Sequence, residues 1–84
     1  MTDNSKIVDD VPWSDHITDY DQAHFVIYVR LLDAEQDGAS HDEMAREILG
    51  IIPAKEPDRA ARVLASHLKR AHWMTEHGYR DLLK

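Results

Sequence analysis

Six histidines are the first residues of this chain that could do chemistry: His16, His24, His41, His67, His72 and His77. A helical zinc site uses ligands at i and i+4, which share one face. His67, His72 and His77 step by five residues instead, and each step turns the side chain by about 140°. His16, His24 and His41 fall on separate segments, with no carboxylate pattern to join them. The chain has no cysteine, which removes thiolate metal sites, disulfides and a thiol nucleophile. Neither a metal site nor a cofactor is expected. Enzyme motifs are missing as well: there is no glycine-rich phosphate loop and no nucleophile elbow. Ser66 and His67 are sequence neighbours, so a helix points them apart. A chain of 84 residues also has little room for a water-excluding catalytic pocket. No catalytic residue and no small-molecule substrate are expected.

The second kind of chemistry is charge. Sixteen acids against ten bases give −6. The first 50 residues carry twelve acids and three bases, and the remaining 34 carry four acids and seven bases. Arg59, Arg62, Ser66, Lys69, Arg70 and Trp73 recur at helical spacing in the basic part. They form a candidate nucleic-acid face, or equally the solvated side of an amphipathic helix. The net negative charge argues for little or no DNA binding, because phosphate neutralisation supplies most non-specific affinity.

The elements that must position these residues follow from local signals. Residues 1–11 are polar, acidic and without period, and read as a flexible tail. Thr18 can cap a first helix over about 19–36, with Asp19 and Asp21 at its positive end and Gly38 beyond its stop. Ser40 and Glu43 form a capping box for a short helix over about 41–49, ended by Gly50. Pro53 prevents continuation. Pro57 then opens a third helix running to about 76, with Ala60, Ala61, Leu64, Leu68 and Ala71 as its core stripe. Tyr79 to Lys84 form a short tail whose Leu82 and Leu83 could dock back. The expected fold is all-α, a small three- to four-helix domain over 12–84. It contains an extended-turn helix-turn-helix and no wing. The start lacks a basic, apolar leader and no apolar run approaches a membrane span, so a soluble cytoplasmic protein is expected.

The first helix is apolar over about 160–200° of its circumference, where an ordinary surface helix needs about 100°. Its excess can be covered by the rest of the domain or by a partner. Tyr20, His24 and Tyr28, with nearby Trp13, are candidate anchors of a protein-binding surface, since aromatic residues dominate such surfaces. Acidic Asp15, Asp19 and Asp21 would steer a basic partner. On this reading Tyr28→Ala leaves the fold intact and loses the partner. The alternative is that these residues form the core.

The chain resembles the QseM-type antiactivators of rhizobial integrative and conjugative elements. These are stand-alone copies of a widespread unknown-function domain with an extended-turn helix-turn-helix. The resemblance spans nearly the whole chain after the tail. Pro12-Trp13, Thr18-Asp19-Tyr20-Asp21, Ala23-His24, Tyr28, Arg30-Leu31-Leu32-Asp33-Ala34 and Gly78-Tyr79-Arg80-Asp81-Leu82 carry it. It implies a quorum-sensing-linked regulator that binds the N-terminal domain of a transcriptional activator. That contact would block activation of excision and transfer genes. Arg59, Arg62, Lys69 and Arg70 depart from a purely acidic decoy and keep a DNA-binding helix-turn-helix regulator as the alternative.

Overall fold

Four α-helices make up the regular structure of residues 7–78, which a computed structural model describes, and no strand occurs among them. Helix α1 spans Asp19–Ala23 and α2 spans Phe25–Gln36. Thr18 caps α1 in a full capping box with Asp21 as the reciprocal partner, satisfying two backbone donors at once. The expected single helix over 19–36 is interrupted at His24 (φ −117°, ψ 19°). The His24 ring donates from Nδ1 to the Tyr20 carbonyl at 2.8 Å, and the Tyr20 ring stacks on it at 3.8 Å. That carbonyl is also the acceptor of the His24 backbone N–H, so ring and backbone share one oxygen at the break.

Helix α3 spans His41–Met44 and runs into a single π turn, Ala45–Leu49. Ser40 and Glu43 form the capping box that the sequence predicts. Gly50 ends the segment at φ 71°, ψ 23°, a left-handed conformation that a Cβ disfavours. The connection through residue 56 is a turn on Ile52, whose carbonyl receives the N–H groups of Lys55 and Glu56. Helix α4, Pro57–Trp73, begins with its proline in the first turn and continues into a π turn, Met74–Gly78. The tail over 79–84, with the proposed docking of Leu82 and Leu83, lies outside the described residues.

The main core lies between α2, the α3 unit and α4: Leu31, Met44, Ala45, Leu49, Ile51, Ala60, Val63 and Leu64. A second cluster, Tyr28, Ala71 and Met74, joins α2 to the far end of α4. The buried side of α4 therefore runs through Ala60, Val63, Leu64, His67, Arg70 and Ala71. The expected stripe is correct at Ala60, Leu64 and Ala71, whereas Ala61 is exposed and Leu68 half-buried. The helix is turned toward its Val63–His67–Arg70 edge because a buried carboxylate waits there.

Residues 7–11, expected to belong to a tail, lie along α4. Ile7 packs on the main core and Val11 is buried. Two apolar side chains four residues apart in an acidic stretch are too few to establish a helical or strand period, which is why the segment reads as featureless.

Candidate functional site

Arg70 is completely buried, and so is Asp21. The Asp21 carboxylate accepts from Arg70 Nη2 at 2.7 Å and from Arg70 Nε at 3.1 Å. It also accepts from the Tyr28 hydroxyl at 2.7 Å and the Thr18 N–H at 2.9 Å. Arg70 also donates from Nη1 to the Ser14 carbonyl (2.7 Å) and from Nη2 to the His16 carbonyl (3.0 Å). Its guanidinium carbon lies 3.9 Å from the Trp73 ring centroid and 4.7 Å from that of Trp13, and the two indoles meet edge to face. A planar five-donor fork beside two indoles suits Arg and not Lys. Burial alone would raise the Asp21 pKa, but the Arg70 bond and the Thr18 and Tyr28 donors outweigh it, leaving the carboxyl below its ordinary value. Burial and donation to this carboxylate push Tyr28 far above the usual phenol range.

Beside this pair runs a second buried chain. His67 Nδ1 lies 2.8 Å from the Val63 carbonyl and Nε2 lies 2.6 Å from the Tyr20 hydroxyl. A carbonyl only accepts, so Nδ1 carries the proton and Tyr20 donates to Nε2. Tyr20 in turn accepts from the Val8 N–H at 3.3 Å. Burial lowers the His67 pKa, in keeping with a neutral ring.

These contacts relocate several predicted site residues. Asp21, His24 and Tyr28 are buried and Tyr20 is half-buried, so this part of the proposed protein-binding set faces inward. Tyr20 and Tyr28 bury their rings because each hydroxyl finds an internal partner. Trp13 is 51% exposed, and Asp15 and Asp19 are exposed. The apolar excess of the first helical region instead lies at Phe25, Val26 and Val29, which are 45%, 69% and 47% exposed. Arg70 leaves the candidate nucleic-acid face. Its membership of the i−3, i−7 and i+4 series with His67, Val63 and Met74 is the signal that could have found it.

The outer side of α4 presents Arg59, Arg62, Ser66 and Lys69 at helical spacing. This helix follows the α3 unit as the second member of a helix-turn-helix whose turn is lengthened to residues 50–56. Three of these four residues bond the segment 9–11. Arg59 Nε donates to Asp9 at 3.0 Å, and Arg62 Nη2 to Asp10 at 3.1 Å. The Val11 N–H donates to Ser66 Oγ at 2.7 Å. The Lys69 ammonium lies 5.4 Å from the Trp13 ring centroid. The Asp9 carboxylate raises the Arg59 pKa above its ordinary value. No helix is long and apolar enough to cross a membrane, and no three His, Asp or Glu side chains converge as a metal set among the described residues.

A family model for a T6SS transcription factor DNA-binding domain, RovC_DNA-bd, matches residues 5–84. The chain belongs to the RovC_DNA-bd family. Comparison with curated proteins finds no match. Membership of RovC_DNA-bd bears on the charged side of α4 more than on the apolar strip of α2, because a DNA-binding domain needs cations on an accessible element. The expectation of little or no DNA binding, drawn from net charge, does not fit a family of this description. Net charge is a sum over the whole surface, whereas phosphate contact depends on the cations one element presents.

Proposed function

We propose that the chain acts in transcription regulation as a helix-turn-helix DNA-binding module, with α4 as the helix offered to the major groove. The observation that carries this reading is the row Arg59, Arg62, Ser66 and Lys69 on one side of α4, directly after the α3 unit. Arg59, Arg62 and Lys69 would meet phosphates and Ser66 would meet a phosphate or a base edge. Asp21 and Arg70 hold α4 from behind and orient the row. Binding is expected at the weak end of the non-specific range, about 10⁻⁴ M at physiological salt, because the whole molecule is anionic. Fluorescence anisotropy with a labelled duplex tests the assignment across a salt series. Arg62→Ala and Lys69→Ala should each reduce the salt slope by about one. Unchanged slopes in both variants would reject α4 as the contact.

A second reading is favoured by Phe25, Val26 and Val29. These exposed side chains share one side of α2 with Asp33, so an apolar strip is edged by negative charge. Under the resemblance to QseM-type antiactivators, this strip would bind the N-terminal domain of a transcriptional activator. The binding would displace that activator's own contact, and conjugative-element excision and transfer genes would stay silent. Asp19, Asp15 and Trp13 are accessible neighbours that could extend such a surface. Val26→Asp should leave the fold intact, since the side chain is two-thirds exposed, and abolish activator capture. A folded variant that captures the activator fully would remove the strip from consideration.

A further inference from the structure

Resting on the DNA-binding reading, we infer that residues 8–13 form an autoinhibitory strap that occupies the phosphate-contact groups of α4, so that strap and DNA exclude one another. The strap runs in register with the helix. Asp9 meets Arg59, Asp10 meets Arg62, the Val11 N–H meets Ser66, and Trp13 lies by Lys69. All four side chains of the outer row are engaged, in chain order. Each carboxylate sits where a phosphodiester oxygen would, at 3.0–3.1 Å from a guanidinium nitrogen.

The strap is built to let go. The Arg62–Asp10 pair is about two-thirds exposed and the Arg59–Asp9 pair about two-fifths, and pairs that water reaches are weak and screened by salt. Apart from the ion pairs, the strap is held by the buried Val11 with Ile7 beyond it, by the Val8 N–H on the Tyr20 hydroxyl at 3.3 Å, and by the half-exposed Trp13 ring against Trp73. Its C-terminal end is fixed differently: the carbonyls of Ser14 and His16 are bound by the buried Arg70. Release can therefore end before Ser14, leaving the Arg70 contacts in place. DNA does not have to fill an empty site; it has to outbid two carboxylates already seated.

The test uses the whole chain and a fluorescein-labelled duplex of mixed sequence at low salt. Asp9→Asn with Asp10→Asn should bind about two- to thirtyfold more tightly, the range expected from two exposed pairs. A control of equal charge change, Asp33→Asn with Asp37→Asn, should gain clearly less. In the wild type, hydrogen exchange at the Val11 amide should accelerate when the duplex is added, because Ser66 is then needed elsewhere. If the strap variant gains no more than the control while Arg62→Ala still weakens binding, the arginines meet DNA with the strap in place and the inference is wrong. A Val11 amide that stays protected in the complex overturns it equally. If no substitution on α4 or the strap alters binding, the DNA-binding reading fails and the strap falls with it.

Discussion

Removing the carboxylate of Asp21 strands a guanidinium in the interior of the domain. In Asp21→Ala, Arg70 keeps its bonds to Ser14 and His16 but loses its only counter-ion among the described side chains, at zero solvent exposure. Breaking a buried pair by deleting one partner costs about 3–5 kcal/mol. The Tyr28 hydroxyl and the Thr18 N–H lose their acceptor in the same step. A domain of this length has about 4–13 kcal/mol in total, so the variant should stand at the edge of unfolding. Arg70→Met should cost a similar amount, because it leaves Asp21 buried and charged. The double variant should cost less than the sum of the two by about 2 kcal/mol or more, since neither lone charge remains. Urea titration followed by tryptophan fluorescence reads this directly, with Trp13 and Trp73 both beside the guanidinium. At about 1 kcal/mol/M for a small domain, a cost of about 3–5 kcal/mol moves the midpoint down by about 3–5 M. An Asp21→Ala cost under about 1 kcal/mol, or strict additivity in the double, would refute the account of this pair as a coupled interior charge.

Acid should weaken the domain in two stages. His67 has a lowered folded pKa, so its contribution is complete above the ordinary 6.5 and declines as the unfolded chain takes up a proton that the folded chain refuses. Asp21, also depressed, contributes fully above its ordinary 3.8 and loses that contribution as pH falls further. Thermal midpoints across pH 7 to 3 should show both declines, and His67→Gln should remove the first alone. Gly50→Ala places a Cβ at φ 71° with open space around it, so the cost is backbone strain of about 1 kcal/mol, or about 4–8 °C in Tm. Tyr28→Ala, expected from the sequence to spare the fold, should instead unfold it, because the ring is buried and its hydroxyl bonds Asp21; circular dichroism decides between the two.

The helix boundaries were readable because their causes are local. Thr18, Ser40 with Glu43, Gly50 and Pro57 act on backbone groups within a few residues of themselves. The interior charge was not readable, since Asp21 and Arg70 are 49 residues apart and helical periodicity assigns a lone arginine to the outside. The inward placement of Tyr20 and Tyr28 was not readable for a related reason. Tyr20 and Tyr28 are amphipathic and go wherever the hydroxyl has a partner, and periodicity says nothing about His67 or Asp21 waiting inside. Phe25, Val26 and Val29 have the opposite history: apolar by type, they face outward because Asp21, His24, Tyr28 and Leu31 take the inner side. The strap was hidden because its partners lie 50 to 55 residues away on α4, and a short acidic stretch carries no signal of them.

The grip of Arg70 on Ser14 and His16 bears on where the folding unit begins. Neither residue belongs to a helix, yet a chain shortened to start at Ile17 would leave two guanidinium N–H groups facing the interior with nothing to receive them. Helices alone are thus a misleading guide to trimming this domain: its first indispensable atoms are two carbonyl oxygens upstream of α1.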